Sequence, residues 1–355
     1  MTIHDLEADT TPVHDPPSDG GEGGTWRRVD LTPVLSGQWE PPQATVGRRS
    51  DGVGLFYPGK LHTVASESEA GKTWLALATS FEELRAGNSV LYIDFEDDEG
   101  GVAGRLLALQ TAADVVRDRF LYLRPTERLG FAENLSALGQ LVATHKPTLA
   151  VIDGVTEAMT LHGFNPNDNA DIAAFGRILP RRLASAGCAT VCLDHLPKAT
   201  DNRGRYAIGG VHKLNGVDGA ALLLESREPF GIGLTGRSTI TIAKDRPGQL
   251  RKHGHRGKDG LYTFAELELT SHDITYAEFE IRPATRHDDE FMPTVLMTKI
   301  SEALTQHGPL SQRKILATVG GKRDYAIKAL TLLQRDGYVS DETPHQLLKP
   351  YPGTD

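Results

Sequence analysis

The run Ser66-Glu67-Ser68-Glu69-Ala70-Gly71-Lys72-Thr73 has the residue types and spacing of a loop built to hold phosphate. It fits G-x-x-x-x-G-K-[ST] except that Ser66 stands where the first glycine is expected. In such a loop, backbone N–H groups at a helix start cradle the oxygens. The lysine, here Lys72, neutralises the β/γ charge, and the next hydroxyl, here Thr73, ligates Mg²⁺. Glu67 and Glu69 would repel phosphate if turned inward, so they are expected to face away from the nucleotide. Ser66 can close the loop if its φ stays negative.

Other residues extend this chemistry. Leu149–Asp153 is an apolar strand ending in a carboxylate, the expected second element for holding Mg²⁺ through water. Gly154 follows it, whereas AAA+ ATPases usually place a catalytic Glu there, so that class is disfavoured. The strand Val90–Phe95 ends in Glu96-Asp97-Asp98. A carboxylate at that strand end, Glu96 first among the three, could polarise an attacking water. Asp194-His195 ends another apolar run, and His195 reads either as a hydrogen-bonded surface group or as a sensor of phosphate state. Loop 199–216 contains Arg203, Arg205, Tyr206, Gly209, Gly210, His212 and Lys213. Basic groups and an aromatic on a glycine-rich loop match a single-stranded nucleic-acid path, and a solvated loop is the alternative. Cys188 and Cys192 lack two further well-placed ligands, which argues against zinc.

The order of these motifs resembles the RecA-fold ATPases, particularly the RepA-like and DnaB-like hexameric DNA helicases, over roughly residues 54–270. The resemblance rests on Ser66–Thr73, Glu96, Asp153 without a following Glu, Asp194-His195 with Lys198, and Lys244-Asp245-Arg246. It implies that ATP and Mg²⁺ are the cofactors, that Glu96 is the catalytic base and that His195 senses the γ-phosphate. It further implies that loop 199–216 lines a central channel. The K-x-R pair Lys244 and Arg246 would then be a finger inserted into a neighbouring subunit's ATP site, where it stabilises charge on the transferring phosphoryl group. The implied activity is a single-stranded-DNA-dependent motor, a ring-forming replicative-type helicase and most simply a hexamer. A RecA-like switch or filament protein without unwinding activity is the alternative. A small-molecule kinase would need an acceptor lid and no finger.

These residues require particular elements to position them. Leu61–Ala65, Val90–Phe95, Phe120–Leu123, Leu149–Asp153 and Ala189–Leu193 are apolar without alternation, as strands buried on both faces of a parallel sheet should be. Residues 73–86 form a helical pattern stopped by Gly87-Asn88. Residues 169–185 form another, which Pro180 is expected to kink. The fold class is therefore α/β, a RecA-like P-loop core with a mostly parallel sheet. Ala220–Leu224, Ser238–Ala243 and Leu261–Leu269 read as an antiparallel extension. Residues 54–285 make up this domain, preceded by a linker or subunit-contact arm at 25–53. Residues 291–355 change pattern: three helices and a polar-tipped hairpin predict a small winged helix-turn-helix domain. It could meet duplex DNA through Lys322, Arg323 and Lys328, or dock a protein.

Composition constrains the setting. The chain has 355 residues and a net charge of −9, but the charge is segregated along it, so the total does not exclude nucleic acid. Residues 1–24 carry six acids and no Lys or Arg and read as a disordered acidic tail. Residues 196–258 carry twelve Lys and Arg against five acids, a basic stretch in an otherwise near-neutral body. No apolar run is long enough to span a bilayer. The acidic N-terminus is unlike a secretory signal, and two cysteines make no disulfide scaffold, so a cytoplasmic setting is expected.

Overall fold

The structure, a computed structural model, describes residues 26, 28–196, 216–257, 261–284, 294–335 and 337–351. The acidic tail, Arg203, Arg205, Tyr206 and Lys213 lie outside the described residues. The chain divides into Met1–Pro41 and Pro42–Asp355. Within the first unit, Pro33 at the helix start sets one helical turn, α1 (Thr32–Leu35).

The segment read as a linker at 25–53 therefore does not end as expected. Its last part forms a hairpin, β1 (Val46–Arg48) with β2 (Gly54–Phe56), and Val46, Leu55, Phe56 and Tyr57 join the main core. The short strands and the turn polarity of Ser50-Asp51-Gly52 hid their burial from a periodicity reading.

A ten-stranded sheet follows. Its parallel strands are β3 (Leu61–Ser66), β4 (Val90–Asp94), β5 (Phe120–Leu123), β6 (Leu149–Asp153), β7 (Ala189–His195) and β8 (Ala220–Glu228). Ala220–Leu224, read as the first strand of the antiparallel extension, instead lies in β8 and runs parallel to β3, so the extension is β9 (Thr235–Asp245), β10 (His255–Arg256), β11 (Tyr262–Ser271) and β12 (Ala277–Pro283). The order is β10-β11-β9-β8-β3-β7-β6-β4-β5, with β12 on β11. The phosphate-loop strand β3 thus lies between β7 and β8, inside the sheet. This is the RecA-like class.

Helices cover the sheet: α2 (Lys72–Arg85), α3 (Glu99–Ala108), α4 (Ala113–Arg119), α5 (Ala132–His145), α6 (Val155–Leu161), α7 (Asn169–Ile178) and α8 (Pro180–Ser185). The pattern at 169–185 is two helices rather than one kinked helix. Leu179 takes φ −128° between them, because Pro180 lacks an N–H and disfavours helical geometry in the residue before it. Its apolar stripe Ile172, Phe175, Leu179 and Leu183 is buried.

The C-terminal residues form α9 (Thr294–His307), α10 (Gln312–Val319) and α11 (Arg323–Arg335). Gly320 and Gly321, both at positive φ, turn the chain between α10 and α11. Met297, Ile300, Ile315, Leu330 and Leu333 make a separate core. The two expected C-terminal strands reduce to isolated bridges, Leu310 with His345 and Val339 with Leu347.

Candidate active site

Parallel pairing brings the carboxyl ends of four strands to one edge. Ser66 is in register with His195, and Asp94 with Asp153. Such an edge is where open α/β sheets bind ligands. The loop leaving β3 has Glu69 at φ 63° and Gly71 at φ 86°. Left-handed residues within a short loop let successive N–H groups converge on an anion. Gly71 is the N-cap of α2 and no side chain caps that helix, so its first N–H groups remain open to phosphate. Glu67, Ser68 and Glu69 are exposed while Ala70 is buried. Ser66 takes none of the positive-φ positions.

Side chains converge behind this loop. Lys72 Nζ donates to His195 Nδ1 at 3.1 Å. An ammonium only donates, so Nδ1 is the acceptor and the ring proton sits on Nε2. From there it faces Glu96 Oε1 at 3.2 Å. Thr73 Oγ1 donates to Asp153 Oδ2 at 3.3 Å, and the same oxygen accepts from Tyr92 OH at 2.5 Å. The lysine, threonine, two carboxylates and histidine singled out in the sequence therefore share one site.

Burial and neighbouring charge shift the titration of these groups. Burial pushes the Glu96 carboxyl up to about 7, assisted by the charge on Asp153 and by a hydrogen bond with Glu157. Burial also raises Asp153 and lowers Lys72, although nearby Glu96 and Asp153 hold the lysine charge in place. A site crowded with partly neutralised carboxylates near a lysine is poised for a group of strong charge. Thr73 and Asp153 offer the hard oxygen donors that Mg²⁺ prefers.

The acidic triplet after β4 divides its work. Asp97 pairs with Arg105 at 2.7 Å, and Asp98 caps α3 by accepting from Gly101 N at 2.7 Å. Only Glu96 reaches His195. Gly154, at φ 82°, explains why no carboxylate follows Asp153: a Cβ there would lie 2.6 Å from Glu96 Cγ. The space a residue-154 side chain would fill is occupied from β4.

Several site residues escaped the sequence reading. Asp94 Oδ1 accepts from the N–H groups of Glu96 and Asp97, both at 2.9 Å, and its Oδ2 accepts from Tyr122 OH at 2.8 Å. Glu157 lies in the first turn of α6. Ser238 Oγ donates to Ala70 O at 2.8 Å, and Phe230 packs so closely on Gly71 that a Cβ there would sit 2.6 Å from its ring. The last two come from the antiparallel extension, distant in sequence and without a motif.

Lys244 and Arg246 lie elsewhere. Lys244 pairs with Ala221, which pairs with Thr63. Arg246 N donates to Gly219 O, and Gly219 N to Leu61 O. Arg246 is thus level with the start of β3, five residues from Ser66, or about 17 Å at ~3.3 Å per residue. That is well beyond the reach of an arginine side chain. In the C-terminal residues, Lys322 and Arg323 are exposed and Lys328 is half-buried.

The model of the AAA domain family matches residues 29–201, just under half of the chain. No curated protein matches in sequence. Among solved structures, a KaiC-like protein of the hyperthermophilic archaeon Pyrococcus horikoshii OT3 aligns with a TM-score of 0.47 and 11% identity. The alignment covers 69% of this chain and 100% of that one.

Proposed function

We propose that this RecA-like P-loop ATPase hydrolyses ATP in sites shared between subunits of a head-to-tail ring, most simply a hexamer, and uses the turnover to move on single-stranded DNA as a helicase. The observation that carries the reading is the position of Arg246. A basic pair presented at the end of the sheet remote from its own phosphate loop can serve phosphoryl transfer only in another subunit.

Within a site, backbone N–H groups and Lys72 hold the β- and γ-phosphates. Thr73 and Asp153 would hold Mg²⁺, whose contribution when bound is charge neutralisation on those oxygens. Glu96 orients a water in line with the γ-phosphorus and accepts its proton as the bond to ADP breaks. His195, between Lys72 and Glu96, would report the presence of the γ-phosphate to the loop that begins four residues later. That loop carries Arg203, Arg205, Tyr206 and Lys213, the residues assigned to single-stranded DNA. The C-terminal helices and their two bridges are read as a winged helix. Exposed Lys322 and Arg323, with Lys328, are assigned to duplex DNA.

The test is subunit mixing. Lys72→Ala should lose hydrolysis and most ATP binding, while Arg246→Ala should bind ATP and lose on the order of 10³-fold in rate. Mixed after subunit exchange, the two should recover part of the turnover, at the interfaces where an Arg246→Ala phosphate loop meets the intact finger of a Lys72→Ala subunit. Single-stranded DNA should stimulate the wild type, and strand displacement should accompany it. Co-assembly without recovery refutes the shared site. Stimulation without strand displacement favours the switch or filament alternative.

A further inference from the structure

We infer that Tyr57 and Asp245 are positioning residues for Arg246: a buried hydroxyl–carboxylate pair that fixes the turn carrying the finger and ties it to the strand carrying the phosphate loop. The inference rests on the shared-site reading and identifies what holds the donated group in place.

Asp245 stands between the two cations, yet its side chain is turned inward and only 4% of the residue is exposed. Its Oδ1 accepts from Tyr57 OH at 2.8 Å and from Gly248 N at 3.0 Å. Its Oδ2 accepts from Leu250 N at 2.9 Å and Arg251 N at 3.3 Å. Gln249 N donates to the Tyr57 hydroxyl at 3.2 Å. One carboxylate and one phenol therefore satisfy four backbone N–H groups of the turn that follows Arg246. Such a turn holds its shape without regular structure, and each buried polar group has a partner. Asp245 is turned inward at the end of β9, while Lys244 before it is half-buried and Arg246 after it is exposed. Burial and the adjacent carboxylate hold the Tyr57 phenol well above its ordinary range, so it remains a donor.

Tyr57 is anchored in turn. Its N–H donates to His62 Nε2 at 3.0 Å, which makes Nδ1–H the donor to Thr190 O at 3.2 Å. His62 is fully buried and lies parallel to the Tyr57 ring, with centroids 6.0 Å apart. Gly219, whose carbonyl accepts from Arg246 N, permits this packing: a Cβ there would lie 2.3 Å from His62 Nε2. His62 belongs to β3 and Thr190 to β7, the strands whose far ends carry Ser66 and His195. The finger offered to a neighbour is thus braced by the two strands that form its own subunit's phosphate site.

The experiment uses Tyr57→Phe in the full chain. Loss of this one buried donor should lower ATP turnover roughly five- to ten-fold, with ATP affinity and KM within about two-fold of wild type. Mixing with Lys72→Ala, which supplies intact fingers, should restore turnover at the Tyr57→Phe phosphate loops. Mixing with Arg246→Ala should not. A merely structural role would instead lower ATP affinity or resist rescue by Lys72→Ala, and either result overturns the inference, as does wild-type turnover. If Tyr57→Phe melts too early to assay, Asp245→Asn is read in the same two mixtures. Full activity of Arg246→Ala alone would sink the shared-site reading and this inference with it. An inactive, rescuable Arg246→Ala beside a fully active Tyr57→Phe would sink only this one.

Discussion

Replacing Glu96 by Gln keeps the shape of the side chain and removes its charge, which should move activity and stability in opposite directions. Losing the base should cost hydrolysis about 10²–10⁴-fold with ATP binding retained. The stability effect follows from the carboxyl standing at about 7 against an ordinary 4.5. Between those values the folded state binds more protons than the unfolded chain, so stability falls as pH rises from 4.5 through 7. Above 7, ionised Glu96 costs the fold at most about 3 kcal/mol, at ~1.4 kcal/mol per tenfold change in proton affinity. The side chain is 31% exposed, and solvent screening reduces this to about 1–2 kcal/mol. Gln carries none of that cost. Thermal melts without nucleotide or Mg²⁺ should therefore show Glu96→Gln more stable than wild type by roughly 2–6 °C at pH 8.5. The gap should shrink as pH falls through 7 and vanish near 4.5. In wild type, kcat/KM should rise with pH through about 7. Normal hydrolysis by Glu96→Gln, or a variant less stable than wild type at pH 8.5, would refute the assignment.

Four further outcomes are expected. Asp97→Asn should keep hydrolysis within a few-fold of wild type, since its carboxylate serves Arg105; steady-state ATPase rates decide this, and a Glu96-sized loss would mean the wrong carboxylate was chosen. Gly154→Ala should cost about 1–3 kcal/mol in chemical denaturation and at least ten-fold in hydrolysis, because a left-handed backbone and the Glu96 contact both resist a Cβ. Removing residues 291–355 should leave DNA-stimulated ATPase largely intact while altering duplex or partner binding. Arg203 and Arg205 variants should weaken single-strand binding and flatten its dependence on salt.

How much of this was legible in the sequence depended on whether the signal was local. The phosphate loop is contiguous, so its spacing, flanking strand and helix were readable directly. Five of the six parallel strands were readable because burial on both faces removes alternation, whereas the direction of β8 is set by its pairing with β3. Glu96, Asp153 and His195 could be placed because each ends such a strand, and parallel pairing gathers strand ends at one edge. The hairpin at 46–56 was not legible, since three-residue strands are too short for a period to show. Nor could the sequence rank Glu96, Asp97 and Asp98 by geometry: an ion pair to Arg105 and a helix cap, both set by where α3 packs, remove two of them. Gly154 looked like a missing carboxylate until Glu96 was seen filling its space. The support from Asp94, Tyr122, Phe230 and Ser238, and the bracing of Arg246 by Tyr57 and Asp245, join residues up to 188 positions apart. Those contacts are decided by strand order and register, which hydrophobic pattern alone does not specify. The sequence therefore determined which chemical groups are present and that they sit at strand ends. Only the tertiary structure decided which of them meet, and that Arg246 lies level with the start of β3, at the end remote from its own phosphate loop.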